Sequence, residues 1–163
     1  LFGHERLGLN GRVFRCWKFR TMRTDADEAL RKLLASDPVA AEEWARDHKL
    51  SDDPRVTRLG KFLRRFDLDE IPQLINVLNG DMSVVGPRPI VHDEADRFGD
   101  RLPVVLSVKP GLTGLWQVSG RNCMSYDDRV VTEAEYASTR TLAGDLRIIV
   151  KTPLVLTRSN FGR

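Results

Sequence analysis

The sequence predicts an α+β fold, mainly helical, with an N-terminal β-hairpin and amphipathic helices suited to a membrane surface. Three observations carry this. Asn10-Gly11 separates two short stretches that include aromatic and β-branched residues, and that dipeptide is a strong hairpin-turn signal. Most of the remaining chain repeats apolar residues at helical spacing. No run approaches the ~20 apolar residues of a membrane span. With 163 residues, 41% hydrophobic and 30% charged, the chain is long enough to bury a core. It is expected to form one domain, residues 1–163.

Each element has a local cause. Residues 1–22 read as the hairpin, turning at Asn10-Gly11, with Lys18 and Arg20 on one face of the second strand and Phe19 on the other. Residues 24–50 read as two helices broken at Asp37-Pro38. Thr24 with Asp27 resembles a capping box, and Leu30, Leu33, Leu34, Ala41, Trp44 and Ala45 supply buried stripes. Residues 51–56 form an acidic loop. Thr57 then caps a helix through Phe66, with Leu59, Phe62, Leu63 and Phe66 on one face and Arg58, Lys61 and Arg65 on another. Such a helix suits either a lipid headgroup layer or a core with a solvated basic side. Residues 90–100 read as a further helix and residues 107–122 as an ordered loop. Ser125 with Asp128 starts a helix towards Arg140. Asp145–Thr157, interrupted by Pro153, either lies on a membrane or closes the core.

The stretch Arg64–Pro89 holds the densest chemistry. Asp67, Asp69 and Glu70 fall within four residues. Asp69 can cap a helix whose stripe is Ile71, Leu74, Ile75 and Leu78, with Pro72 in its first turn and Asn79-Gly80 at its end. One carboxylate suffices for a cap, and the others add repulsion that calls for a cation, a metal or a function. Arg88 lies between Pro87 and Pro89, on a stiff backbone that suits a phosphate-binding guanidinium as well as a solvated turn.

Composition narrows the partners. A net charge of +3 fits anionic lipid, nucleotide or nucleic acid and selects none. Cys16 and Cys123 lack metal spacing and suit a reduced compartment. His4, His48 and His92 are too scattered for zinc and are read as structural or surface residues.

Taken in order, these pieces resemble the bacterial sugar transferases, the monotopic phosphoglycosyl transferases. The resemblance is carried by Glu5-Arg6-Leu7-Gly8, Lys18-Phe19-Arg20-Thr21-Met22 and Asp53-Pro54-Arg55-Val56-Thr57-Arg58-Leu59-Gly60. It continues through Leu68-Asp69-Glu70-Ile71-Pro72-Gln73-Leu74, the run from Gly80 to Pro89, and Lys109-Pro110-Gly111-Leu112-Thr113-Gly114. Leu115-Trp116-Gln117-Val118-Ser119-Gly120-Arg121-Asn122 looks like the hexose-1-phosphate branch, of the undecaprenyl-phosphate galactose or glucose phosphotransferase type.

The resemblance implies transfer of a sugar-1-phosphate from a UDP-sugar to polyprenyl (undecaprenyl) phosphate. The setting would be the cytoplasmic face of the bacterial inner membrane, at the start of polysaccharide assembly. It implies Asp69 as nucleophile, Glu70 as its catalytic partner and ligand to Mg²⁺, and Arg88 near the nucleotide phosphates. Lys18 and Arg121 are implied as further substrate-binding cations. Membrane lipid is an implied partner and nucleic acid is not. A reentrant membrane helix is implied before the hairpin and is expected to be missing from this stretch. Asp67 departs from the family, which more often has a small hydroxyl residue there. Thr139–Asp145 lacks the tryptophans common in that segment. Two other readings stand beside this one: an Asp-x-Asp phosphotransferase or glycosyltransferase, and a non-catalytic basic module that binds membranes.

Overall fold

A computed structural model describes residues 1–47, 50, 53–120 and 124–159. The fold is α+β and mainly helical, and its contacts divide it into two compact units. One comprises Leu1–Lys18 and Glu70–Arg163; the other is Phe19–Asp69.

The first unit begins with the expected antiparallel hairpin, β1 (Phe2–Leu7) and β2 (Val13–Lys18). Its connection is longer than two residues. Leu7 pairs with Val13 and the Gly8 N–H donates to the Arg12 carbonyl, so a 3-10 turn over Leu9–Gly11 closes the hairpin. Asn10 (φ 54°) and Gly11 (φ 77°) take the left-handed positions, which is why this pair marks the turn.

The second unit holds α1 (Ala26–Ser36), α2 (Pro38–Asp47) and α3 (Arg58–Arg65). The break at Asp37-Pro38 stands as expected, and Asp37 caps α2 by accepting from Val39 and Ala40 N–H. The Thr24 capping box does not form. Asp25 precedes α1, and its carboxylate is held by Arg23 at 2.7 and 2.9 Å. Nor are the α1 and α2 stripes fully buried. Leu30, Leu33, Leu34, Ala41 and Trp44 are half-buried and Ala45 is exposed. Arg55 is buried instead, paired with Asp53 at 2.7 Å and stacked 4.8 Å from the Trp44 ring centre. Thr57 caps α3 through the Gly60 N–H, as expected. The apolar face of α3 is open, with Leu59, Phe62 and Phe66 all exposed.

After a 3-10 turn at Leu68–Glu70, the first unit resumes with α4 (Gln73–Leu78) and β3 (Ser83–Val85). The expected helix over residues 90–100 is a run of 3-10 turns, His92–Arg101, kinked at Gly99. It leads into α5 (Leu102–Leu106). The expected loop 107–122 contains β4 (Gly111–Thr113), parallel to β3, and α6 (Leu115–Ser119). Last come α7 (Tyr126–Thr139), capped by Ser125 as expected, and α8 (Leu142–Ser159), which carries Pro153. Leu7, Ile90, Phe98, Val105 and Val130 form one core cluster; Phe14, Cys16 and Met82 form another, and Val85, Tyr136 and Ile148 a third. Among the described residues no helix is long and apolar enough to cross a membrane.

The largest departure is α4. Ile71, Leu74, Ile75 and Leu78, expected to be buried, are exposed, while Gln73 and Asn76 are buried. Asn76 turns inward because β2 leaves an open edge. Its amide accepts the Trp17 N–H at 3.0 Å and donates to the Arg15 carbonyl at 2.8 Å, satisfying backbone groups that would otherwise be unpaired.

Candidate active site

Strand alternation builds the first wall. Phe14, Cys16 and Lys18 share one face of β2, and the register sets Arg6 opposite Phe14 and Phe2 opposite Lys18. Residues directly opposite across a pair lie on the same face. Phe14 and Cys16 are buried, so this face looks inward and carries Arg6 and Lys18 with it. Burial pushes the Cys16 thiol pKa up, with the nearby Lys18 pulling the other way. Lys18 Nζ donates to Glu70 Oε1 at 2.5 Å, both side chains about a quarter exposed.

Close backbone packing builds the second wall. The Gly86 N–H donates to the Thr113 carbonyl at 2.9 Å, and the Gly111 N–H donates to the Pro87 carbonyl at 2.8 Å. A Cβ on Gly86 would lie 2.4 Å from the Lys109 carbonyl oxygen, and one on Gly111 would lie 2.1 Å from the Gly86 nitrogen. Only glycine allows this approach, and the approach fixes the start of Pro87-Arg88-Pro89. Neither proline has an N–H, so Arg88 is the sole backbone donor of the three. Its N–H goes to Glu133 Oε1 on α7 at 3.0 Å. Glu133 is 2% exposed. Burial pushes its carboxyl pKa up to about 7, against the Arg88 N–H and the charges of Arg129 and Arg88. Arg129 Nε lies 3.7 Å from the same oxygen, with its guanidinium near the rings of Trp116 and Tyr126. The Arg88 guanidinium sits 5.9 Å from the Trp116 ring centre.

The two walls face an open cleft lined by Arg6, Lys18, Glu70, Gln73, Arg88 and Gln117 among others. Burial, then the charge of Arg88, lowers the Arg6 pKa. Such a surface favours an anion bearing more than one charge.

Of the residues singled out from sequence, Lys18, Glu70 and Arg88 line this cleft. Asp69 is the last residue of the second unit, one peptide bond before Glu70. Its carbonyl accepts the Phe19 N–H at 2.9 Å. It is not the N-cap residue of α4, which starts at Gln73 after Pro72; the expected helix N-terminus at Asp69–Ile71 is a 3-10 turn, Leu68–Glu70, followed by a turn. Asp67 has φ 52° just after α3. Aspartate is among the few non-glycine residues tolerated in that left-handed position, which gives this residue a conformational reason to be there. Arg121, Cys123 and His48 lie outside the described residues; His4 and His92 are exposed.

Sequence reasoning missed Arg6, Gln73, Gln117 and Glu133. Arg6 was legible only through the strand register. Glu133 lies three residues after Val130 and three before Tyr136, a charged group on a buried helical row. Among the described residues no cluster of three metal-ligating side chains occurs. One hard carboxylate in an open, cation-lined cleft fits a metal that arrives on a phosphate and keeps several waters, as Mg²⁺ does.

Comparison with known families matches residues 1–159 to the bacterial sugar transferase model. The chain belongs to the bacterial sugar transferase family. It is 52% identical over 158 residues to the undecaprenyl-phosphate galactose phosphotransferase of Salmonella typhimurium, covering 97% of this chain and 33% of that protein. The exopolysaccharide production protein ExoY of Sinorhizobium fredii is 49% identical over 151 residues, covering 93% of this chain and 67% of ExoY. The undecaprenyl-phosphate glucose phosphotransferase of Komagataeibacter xylinus is 37% identical over 178 residues, covering 100% of this chain and 30% of that protein. This sugar transferase chain thus spans about a third of the length of several curated relatives it matches. Membership disfavours the Asp-x-Asp alternative, which calls for a strand before Asp67 where helix α3 stands.

Proposed function

We propose that this chain is the catalytic part of a phosphoglycosyl transferase that moves a sugar-1-phosphate from a UDP-sugar to polyprenyl phosphate. The observation that carries this is one cleft in a sugar transferase chain lined by three cations, Arg6, Lys18 and Arg88, and by the carboxylate of Glu70, which pairs with Lys18. A diphosphate ester is the kind of anion such a cleft suits, and relatives named undecaprenyl-phosphate phosphotransferases point to the acceptor class.

Asp69 is the nucleophile in this reading. A free aspartate has a pKa of ~3.9 and is ionised at neutral pH, so the obstacle is approach to an anionic diphosphate. Arg88 and Lys18 reduce that repulsion and hold the phosphates in line. An Asp69 carboxylate oxygen bonds to the sugar-bearing phosphorus while the bond to the bridging oxygen breaks, and UMP leaves. A phosphate oxygen of the polyprenyl acceptor then attacks the same phosphorus, breaking the acyl phosphate bond and restoring the Asp69 carboxylate. The route divides one transfer between two anions into two displacements. Glu70 would hold Mg²⁺, which when bound adds charge neutralisation at the diphosphate and the departing UMP.

Lipid contact accounts for the exposed apolar rows. Leu59 and Phe62 of α3 with Phe66 just past its end, flanked by Arg58, Lys61 and Arg65, form one candidate membrane-facing surface. The row Leu74, Ile75 and Leu78 of α4 forms another. The site of action is the cytoplasmic face of the bacterial inner membrane.

The test uses the full-length protein in vesicles, with a panel of nucleotide sugars, polyprenyl phosphate and Mg²⁺. Lipid-linked sugar diphosphate should form with a UDP-hexose, cease in EDTA and resume on adding Mg²⁺. Vesicle binding abolished by salt, with no turnover of any nucleotide sugar, would instead favour a non-catalytic basic module.

A further inference from the structure

We propose that Arg6 is a substrate-contacting residue that forms, with Arg88, a two-guanidinium clamp on the donor's diphosphate. The proposal rests on the donor reading above and deepens it. The strand register places Arg6 on the inward face of the hairpin, in line with buried Phe14 and Cys16. It lines the same cleft as Arg88 and Lys18.

The three cations differ in how they are satisfied. Lys18 is paired with Glu70 at 2.5 Å. The Arg88 backbone N–H is taken by Glu133, but its guanidinium faces only the Trp116 ring among the described residues. Arg6 has no hydrogen bond or ion pair among the described residues, and Glu94 and Glu70 act on it only from a distance. Two half-buried guanidinium groups without carboxylates therefore share one cleft and repel each other. Partly desolvated, unpaired charge is unfavourable unless a ligand of opposite sign completes it. The cations lining the cleft outnumber its one lining carboxylate, an excess of positive charge that suits an anionic diphosphate. Guanidinium forks also match phosphate oxygens in bidentate geometry.

The experiment titrates UDP, UMP, inorganic pyrophosphate and a short-chain prenyl phosphate into the full chain with Mg²⁺ present. Parent, Arg6→Gln and Arg6→Lys are compared by calorimetry and by thermal unfolding. Arg6→Gln should weaken UDP and pyrophosphate about 10- to 100-fold, weaken UMP less, and leave the melting temperature in place. Arg6→Lys should recover part of the loss. Unchanged UDP and pyrophosphate affinity in folded Arg6→Gln would overturn the clamp, as would a loss confined to prenyl phosphate. Pyrophosphate binding that needs Arg6, in a parent that ignores UDP, would keep the clamp and remove the uridine-nucleotide donor. A parent that binds neither anion would overturn both. Should Arg6→Gln not fold, arginine-specific phenylglyoxal labelling of the parent decides. Protection of the Arg6 peptide by pyrophosphate supports the clamp, and labelling indifferent to pyrophosphate overturns it.

Discussion

Helices α4 and α7 each place a polar side chain in the interior, yet they face the protein in opposite ways. Around Glu133, α7 buries Val130 and Tyr136, so its interior face is mostly apolar with one charge set into it. Around Asn76, α4 buries Gln73 and leaves Leu74, Ile75 and Leu78 exposed, Leu78 at 86%. Helical periodicity identifies a stripe but not the medium it faces. In α4 the decisive term is hydrogen bonding, because one amide satisfies two backbone groups on the β2 edge. In α7 it is apolar packing, and the buried carboxylate serves the Arg88 N–H. The apolar row of α4 is exposed, and a lipid surface is its proposed partner.

The contrast between α4 and α7 turns on Asn76. If apolar content alone set the orientation of α4, Asn76→Leu would stabilise the protein. We expect it to lower stability by about 2–4 kcal/mol, since the Trp17 N–H and Arg15 carbonyl both lose their partner. Urea unfolding of parent and variant checks this, and unchanged or increased stability would contradict the account of α4.

Glu133 tests the other helix through pH. Its folded carboxyl pKa is raised to about 7, chiefly by burial, above the ordinary value near 4.5. The unfolded chain therefore gives up this proton first as pH rises. The group's contribution is fully present below about pH 4.5, declines between about 4.5 and 7, and levels off above. The total is on the order of 3 kcal/mol. Glu133→Gln should remove that slope from a stability-versus-pH series, and a slope equal to the parent's would show that the group does not titrate in this range.

The smallest expected change in folding comes from the exposed row. Leu74→Gln with Leu78→Gln should alter stability by less than about 1 kcal/mol, because neither side chain is buried. The same pair should weaken binding to anionic vesicles severalfold. Vesicle affinity equal to the parent's would separate this face from the membrane.

What sequence revealed was mostly local. Asn10-Gly11, Asp37-Pro38, Thr57 and Ser125 act on backbone groups within a few residues, so the hairpin, the helix break and two caps were legible. The Thr24 box failed because α1 starts one residue later than that box requires, with Asp25 at the N-cap position. The β3–β4 pair was not legible, since three-residue strands carry too little pattern and depend on the distant contact of Gly86 with Gly111. Within the cleft, Lys18, Glu70 and Arg88 stood out through motifs. Arg6 and Glu133 did not, because their roles depend on strand register and on a partner 45 residues away.

Covalent transfer through Asp69 can be observed directly in the absence of acceptor. The full-length protein is given a UDP-sugar and Mg²⁺ without polyprenyl phosphate, then digested and analysed by mass spectrometry. Up to about one UMP per site should be released, with a hexose-phosphate adduct on the peptide containing Asp69. Asp69→Asn should lose both signals and Asp67→Asn should keep them. UMP released only when acceptor is present with no trappable adduct, or an adduct on Asp67, would contradict the account.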